Sequence, residues 1–130
     1  MPSSEHVSVL LVDDSLDFRA GLASLLAATC DVLGTLDDGD GIEDAVERLC
    51  PDVVVLDISM PNVDGFDAAR RLLKVCPDAK IIFLSSHSEP DYEHEARAIG
   101  ASGFINKERT AKDLLPALRI VKENGTAFSP

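Results

Sequence analysis

The chain has 130 residues, 45% of them apolar, and 12 Lys and Arg against 23 Asp and Glu, for a net charge of -11. That length supplies one domain with a buried core but not two. The acidity disfavours direct binding of this segment to nucleic acid or to anionic membranes, and no apolar run approaches the roughly 18 residues of a membrane span. Cys30, Cys50 and Cys76 form no CxxC pair and no zinc-type spacing, and no signal peptide is evident. They read as ordinary half-buried thiols in a reducing, cytoplasmic setting.

Residues 1–6 are polar and read as a short disordered tip, and the domain is expected over 7–125. Three continuous runs rich in β-branched residues, Val9 to Val12, Val53 to Leu56 and Ile81 to Leu84, have the look of strands buried on both faces of a parallel sheet. Two weaker strands are expected around Val32 to Leu36 and Gly103 to Ile105. Between them, Phe18, Leu22, Leu25 and Leu26 share one face of a helix starting near Ser15. Ala45, Val46 and Leu49 mark a second helix over Gly41 to Leu49. Phe66, Ala69, Leu72 and Leu73 mark a third that stops before Pro77. Ser88 and Asp91 suggest a capping box for a fourth helix with Pro90 in its first turn; its inner face, Tyr92, Ala96 and Ile99, is thin. Thr110 is expected to cap a fifth, lined by Leu114, Leu115, Leu118 and Val121, with Gly125 at the left-handed position after it. Pro116 lies deep enough in that helix to cost a bond or a mild bend. Residues 126–130 read as a chain leaving the fold. Strands alternating with helices predict a doubly wound α/β fold with right-handed crossovers.

In such folds ligands bind beyond the carboxyl ends of the strands. Asp13 and Asp14 follow the first run, Asp57 ends the third strand, Ser85 and Ser86 end the fourth, and Lys107 follows the fifth. Three carboxylates on one rim repel one another unless a cation lies between them. An all-oxygen set without His or Cys points to a hard ion, Mg²⁺ before Zn²⁺. An Asp beside such an ion can act as a nucleophile towards phosphorus, with the metal, the Lys and a hydroxyl neutralising the transferred oxygens. Each residue alone is an ordinary cap, turn or surface group; the specificity lies in their conjunction.

With these residues in place, the chain resembles the receiver domain of two-component response regulators. The motifs are VLLVDDS at 9–15, VVLDISMPNVDG at 54–65, IIFLSS at 81–86 and GASGFINK at 100–107. The resemblance implies a flavodoxin-like, five-stranded parallel sheet in the order 2-1-3-4-5 with five helices. It implies Asp57 as phospho-acceptor, Asp14 as a direct Mg²⁺ ligand, Asp13 as a ligand largely through water, and the Ser59 carbonyl as a further ligand. Lys107 would pair with the phosphoryl group, Ser85 would be the switch hydroxyl, and Phe104 the aromatic that turns inward when it moves. Pro61 and Gly65 match the turn after Asp57. Ser59 and His87 occupy positions that in the family tune phosphate lifetime; from the sequence itself His87 and His94 read as surface residues and His6 as part of the tail. Ser85 stands where Thr is commoner, Ser86 replaces a usual Ala or Gly, and Phe104 lacks the hydroxyl of the frequent Tyr.

The stretch from GASGFINK to residue 130 is most similar to receivers of the NarL/FixJ (LuxR) type, which usually precede a DNA-binding domain. The resemblance therefore implies a phosphoprotein that takes its phosphoryl group from a histidine kinase and regulates transcription, with a homodimer on phosphorylation as a further option. It would be a signalling domain rather than an enzyme, promoting only its own phosphorylation and dephosphorylation. A stand-alone regulator or a pseudo-receiver acting by protein–protein contact remains the alternative. A haloacid-dehalogenase-like phosphohydrolase would want a second Asp where Ser59 stands. A flavin module would want a Ser/Thr/Gly-rich loop in place of Asp13 and Asp14.

Overall fold

The apolar runs become strands because each is buried on both faces, so no side chain is left to alternate with solvent. The computed structural model describes residues 6–60, 64–87 and 89–128; the expected tip, apart from His6, lies outside them. In chain order the elements are β1 (Val7–Val12), α1 (Leu16–Leu26), β2 (Cys30–Leu36), α2 (Ile42–Leu49), β3 (Val53–Asp57), α3 (Gly65–Val75), β4 (Ile81–Ser85), α4 (Pro90–Ile99), β5 (Gly103–Asn106) and α5 (Thr110–Lys122), with a 3₁₀ turn at Lys107–Arg109. The sheet is parallel throughout, in the order β2-β1-β3-β4-β5.

Two-residue alternation along the strands divides the core. Val9, Leu11, Val53, Val55, Ile82 and Leu84 pack with α1 and α5. Leu10, Val12, Val54, Leu56, Ile81 and Phe83 pack with α2, α3 and α4. Register brings the strand ends level: Val12 faces Leu56, Asp57 faces Leu84, and Ser85 faces Asn106. The residues just past these ends therefore meet on one rim, although they lie far apart in the chain.

Helix ends depart from expectation in three places. Thr110 is not the cap of α5 but its first residue. Asn106 caps a 3₁₀ turn that runs straight into the helix, so Thr110 already has helical angles, and its hydroxyl donates to the Lys107 carbonyl at 2.8 Å. The left-handed residue after α5 is Asn124 (φ 71°), not Gly125. Gly125 is needed for room: a Cβ there would stand 2.7 Å from Ile120 Cγ2, and its N–H donates to the Ile120 carbonyl at 2.9 Å. The N-cap of α4 is Glu89, without a side-chain cap bond; Ser88 lies outside the described residues. Ser15 does cap α1, accepting the Phe18 N–H. Pro116 sits within α5 without interrupting it, although it has no N–H to donate to the preceding turn.

Only Ala96 of α4 is fully buried, and Tyr92 and Ile99 pack partly against the core, as the thin pattern suggested. The cysteines are all free, but they are not alike: Cys30 is buried, Cys76 half-buried and Cys50 exposed. Of the segment expected to leave the fold at residue 126, the described residues 126–128 stay on it. Ala127 pairs in parallel with Gly103, donating to the Ser102 carbonyl at 2.8 Å and accepting the Phe104 N–H at 3.1 Å. Arg97 of α4 stacks over the Phe128 ring at 4.2 Å.

Candidate functional site

Asp57 ends β3 on the face of Val53 and Val55, and Asp13 follows β1 on the face of Val9 and Leu11, by the period of two along each strand. Both are almost fully buried, at 2% and 1% exposure, whereas Asp14 is exposed. One carboxylate oxygen from each of the three lies within 4.8 Å of the others. Lys107 bridges the buried pair, with Nζ 3.0 Å from Asp13 Oδ2 and 3.2 Å from Asp57 Oδ2. The Asp13 and Asp57 oxygens facing away are held by backbone: Ser15 N–H donates to Asp13 Oδ1 at 2.8 Å and Ser59 N–H to Asp57 Oδ1 at 3.2 Å. Asp13 Oδ2, fully enclosed, has the Lys107 ion pair but no well-directed hydrogen bond.

These contacts set the charge balance. Burial, and then the charge of Asp13, push Asp57 up to about 6 despite the opposing pull of Lys107 and the Ser59 N–H. For Lys107, burial acts to lower its pKa, but the close contact with Asp13 and the charge of Asp57 outweigh it and hold the pKa above its ordinary value. One ammonium against three carboxylates leaves the cluster net negative. Its donors are all oxygen, and one buried acceptor lacks a directed donor. This chemistry fits a small hard cation such as Mg²⁺.

Gly65 is required by close approach. A Cβ there would lie 2.3 Å from the Asp57 carbonyl oxygen and 2.6 Å from Ile58 Cα, and the Gly65 N–H donates to the Ile58 carbonyl at 2.8 Å. The start of α3 is thus pressed onto the strand end that carries Asp57. Pro61, paired with Gly65 in the expected turn, lies outside the described residues.

Ser85, 1% exposed, has its hydroxyl engaged by its own loop, accepting the His87 N–H at 2.9 Å and donating to the His87 carbonyl at 3.1 Å. Ser86 is exposed. Phe104 is half-buried at the edge of the α2–α4 side of the core. It borders a surface groove of about 440 Å³ with Arg109, Asp113, Ile120 and Phe128. His94 is exposed as expected, but His87 is more than a surface residue. Its ring stacks on Tyr92 at 4.6 Å, and Tyr92 stacks in turn on Phe66, which meets Phe83 edge-on.

Sequence reasoning missed two neighbours of the acidic cluster. Arg19 donates to the Asp13 carbonyl at 2.8 Å, and Lys107 Nζ lies 4.5 Å from the centroid of the Phe18 ring. The i, i+4 spacing of Phe18 and Leu22 reads as core and gives no sign of a second role; the only available signal was the nearness of both residues to the Asp-Asp pair.

The response regulator receiver domain family matches residues 9–119. The chain belongs to that family. The receiver domain is 34% identical over 130 residues to the transcriptional regulatory protein DegU of Brevibacillus brevis, covering 98% of this chain and 55% of that one. Among solved structures it is similar to a LuxR-family two-component response regulator from Aurantimonas sp. SI85-9A1, with a TM-score of 0.90 and 25% identity over 96% of this chain and 91% of that one. It is also similar to the signal receiver domain of the putative response regulator NarL from Mycobacterium tuberculosis, with a TM-score of 0.84 and 30% identity over 92% and 98%. These relatives group the receiver with the NarL/FixJ type. The chain spans little more than half the length of DegU. No helix among the described residues is long and apolar enough to cross a membrane.

Proposed function

We propose that Asp57 accepts a phosphoryl group from the phosphohistidine of a histidine kinase. The observation that carries this reading is the buried Asp13–Lys107–Asp57 bridge beside Asp14. At neutral pH Asp57 is mostly ionised, since its pKa lies near 6. A carboxylate oxygen attacks phosphorus, the P–N bond breaks, and the departing imidazole nitrogen keeps the electron pair and takes up a proton. Lys107 stands ready to pair with the transferred oxygens. Mg²⁺, held by Asp13, Asp14, Asp57 and the Ser59 carbonyl, would supply positive charge to those oxygens.

The switch follows from what the new charge attracts. The Ser85 hydroxyl leaves the His87 backbone for the phosphoryl group, and Phe104 moves inward from the groove it borders. The face made by α4, β5 and α5 changes with it, and α4, with one fully buried residue, resists this weakly. Both arrangements must already be sampled, with phosphorylation shifting their populations. We take the output to be transcriptional through a DNA-binding domain in a longer regulator, with dimerisation on phosphorylation as a further step; the likeness to DegU and NarL supports this. The phosphohydrolase alternative gains nothing from the site. The residue two after Asp57 is Ser59, which contributes its backbone N–H to the acceptor.

The test is intact mass after incubation with Mg²⁺ and acetyl phosphate. One added phosphoryl group is expected, absent in Asp57→Ala and in the presence of chelator. Uptake that persists in a folded Asp57→Ala protein would overturn the assignment.

A further inference from the structure

We propose that Phe18 is a positioning residue for phosphotransfer: the face of its ring seats the Lys107 ammonium beside the acceptor. This rests on the reading of Asp57 given above.

Lysine carries its charge on a flexible four-carbon stem and is strongly hydrated, so placing it at a reacting centre requires more than one attraction. Asp13 and Asp57 hold Nζ on one side, and the Phe18 ring lies 4.5 Å from it on another. That distance is within the range of a cation over an aromatic face. Beyond the ring lies a groove of about 450 Å³ between α1 and α5, lined in part by Asp17, Gly21, Glu108 and Thr110. Asp17 and Glu108 are exposed carboxylates that line the same groove as Lys107. A ring face is a seat that neither of them can provide. It attracts the cation whether or not Asp57 is charged, and its lack of directional bonds lets Nζ adjust as phosphoryl oxygens arrive.

Packing alone does not call for an aromatic here. Phe18 is only partly buried against the α1–α5 side of the core, and a leucine would keep its contact with that cluster. The sites of Leu22 and Leu26, one and two turns further along α1, are fully served by leucine.

The experiment measures the initial rate of phosphoryl uptake by intact mass, with Mg²⁺ and acetyl phosphate. It compares wild type, Phe18→Leu, Phe18→Tyr, Lys107→Gln and the double variant Phe18→Leu with Lys107→Gln. Phe18→Leu should slow uptake roughly three- to tenfold, and Phe18→Tyr should stay within about twofold of wild type. In the Lys107→Gln background Phe18→Leu should change little, because a residue acting through Lys107 has nothing left to position. Equal slowing in both backgrounds, or Phe18→Tyr as slow as Phe18→Leu, would overturn the proposal. A second measurement does not depend on phosphorylation. The ε-methylene protons of Lys107 should show an upfield ring-current shift in the NMR spectra of wild type and Phe18→Tyr that disappears in Phe18→Leu. Normal uptake without that shift defeats the inference about Phe18 alone. The shift without any uptake by wild type defeats the acceptor reading and the positioning role with it.

Discussion

Replacing Asp57 by Asn should make the metal-free domain more stable at neutral pH, and the size of the effect follows from the site. Burial and the charge of Asp13 raise the folded pKa from 3.8 to about 6. At about 1.4 kcal/mol per pH unit, the ionised carboxylate therefore costs about 3 kcal/mol of folding free energy. Because the folded pKa is the higher one, protonation of Asp57 stabilises the folded state. That contribution is fully present below 3.8 and is lost as pH rises through about 6. Asparagine keeps the shape without the charge and leaves Lys107 to Asp13. Urea denaturation in chelator should therefore show the variant about 3 kcal/mol more stable than wild type at pH 7.5, narrowing to about 1 kcal/mol at pH 4.5. A variant no more stable than wild type at pH 7.5, or a gap that does not close on acidification, would refute the account of the site as electrostatically overloaded.

The same crowding predicts that Mg²⁺ raises the melting temperature of wild type, by an amount equivalent to about 2.7 kcal/mol at a hundredfold excess over its dissociation constant. Chelator should reverse the rise, and Asp14→Ala, which removes one of the three clustered carboxylates, should abolish most of it in a thermal scan. Gly65→Ala should cost about 1–3 kcal/mol in urea denaturation, because its Cβ would meet backbone at 2.3 and 2.6 Å rather than yielding side chains. It should also slow phosphoryl uptake by displacing the end of β3. At the end of α5, Asn124→Gly should stabilise by a few tenths to about 1 kcal/mol, since Asn124 holds φ 71°. Gly125→Ala should destabilise, because Ile120 Cγ2 stands 2.7 Å from the new carbon. An Asn124→Gly variant no more stable than wild type would refute the strain assigned to residue 124.

The acidic rim was legible in the sequence because each of its members is tied to a strand end. Once VVVL is read as a two-sided buried strand, Asp57 has only one place to stand, and β1 and β5 place Asp13 and Lys107 beside it. Helix termini were less legible. Whether Thr110 caps or begins α5 depends on Asn106 starting a 3₁₀ turn four residues earlier. The left-handed angle fell on Asn124 because Gly125 was claimed by the Ile120 contact. Phe18 was hidden for a different reason: one side of its ring does ordinary packing with the core, and apolar spacing records that side only. The fate of residues 126–128 was not legible at all, since nothing in Thr-Ala-Phe shows that an open strand lies within reach.

That docking has a colloidal consequence. β5 is the outermost strand of the sheet on its side, and an uncovered margin of that kind presents unpaired backbone groups to other molecules. Ala127 occupies two of them, the Ser102 carbonyl and the Phe104 N–H, and sits so close to Gly103 that its oxygen would lie 3.1 Å from any added Cβ. A stretch with no strand signature thereby covers part of a margin that could otherwise recruit strands from neighbouring copies. A chain trimmed at Gly125 would keep its core and its acidic rim, yet be the more prone to self-association in concentrated solution.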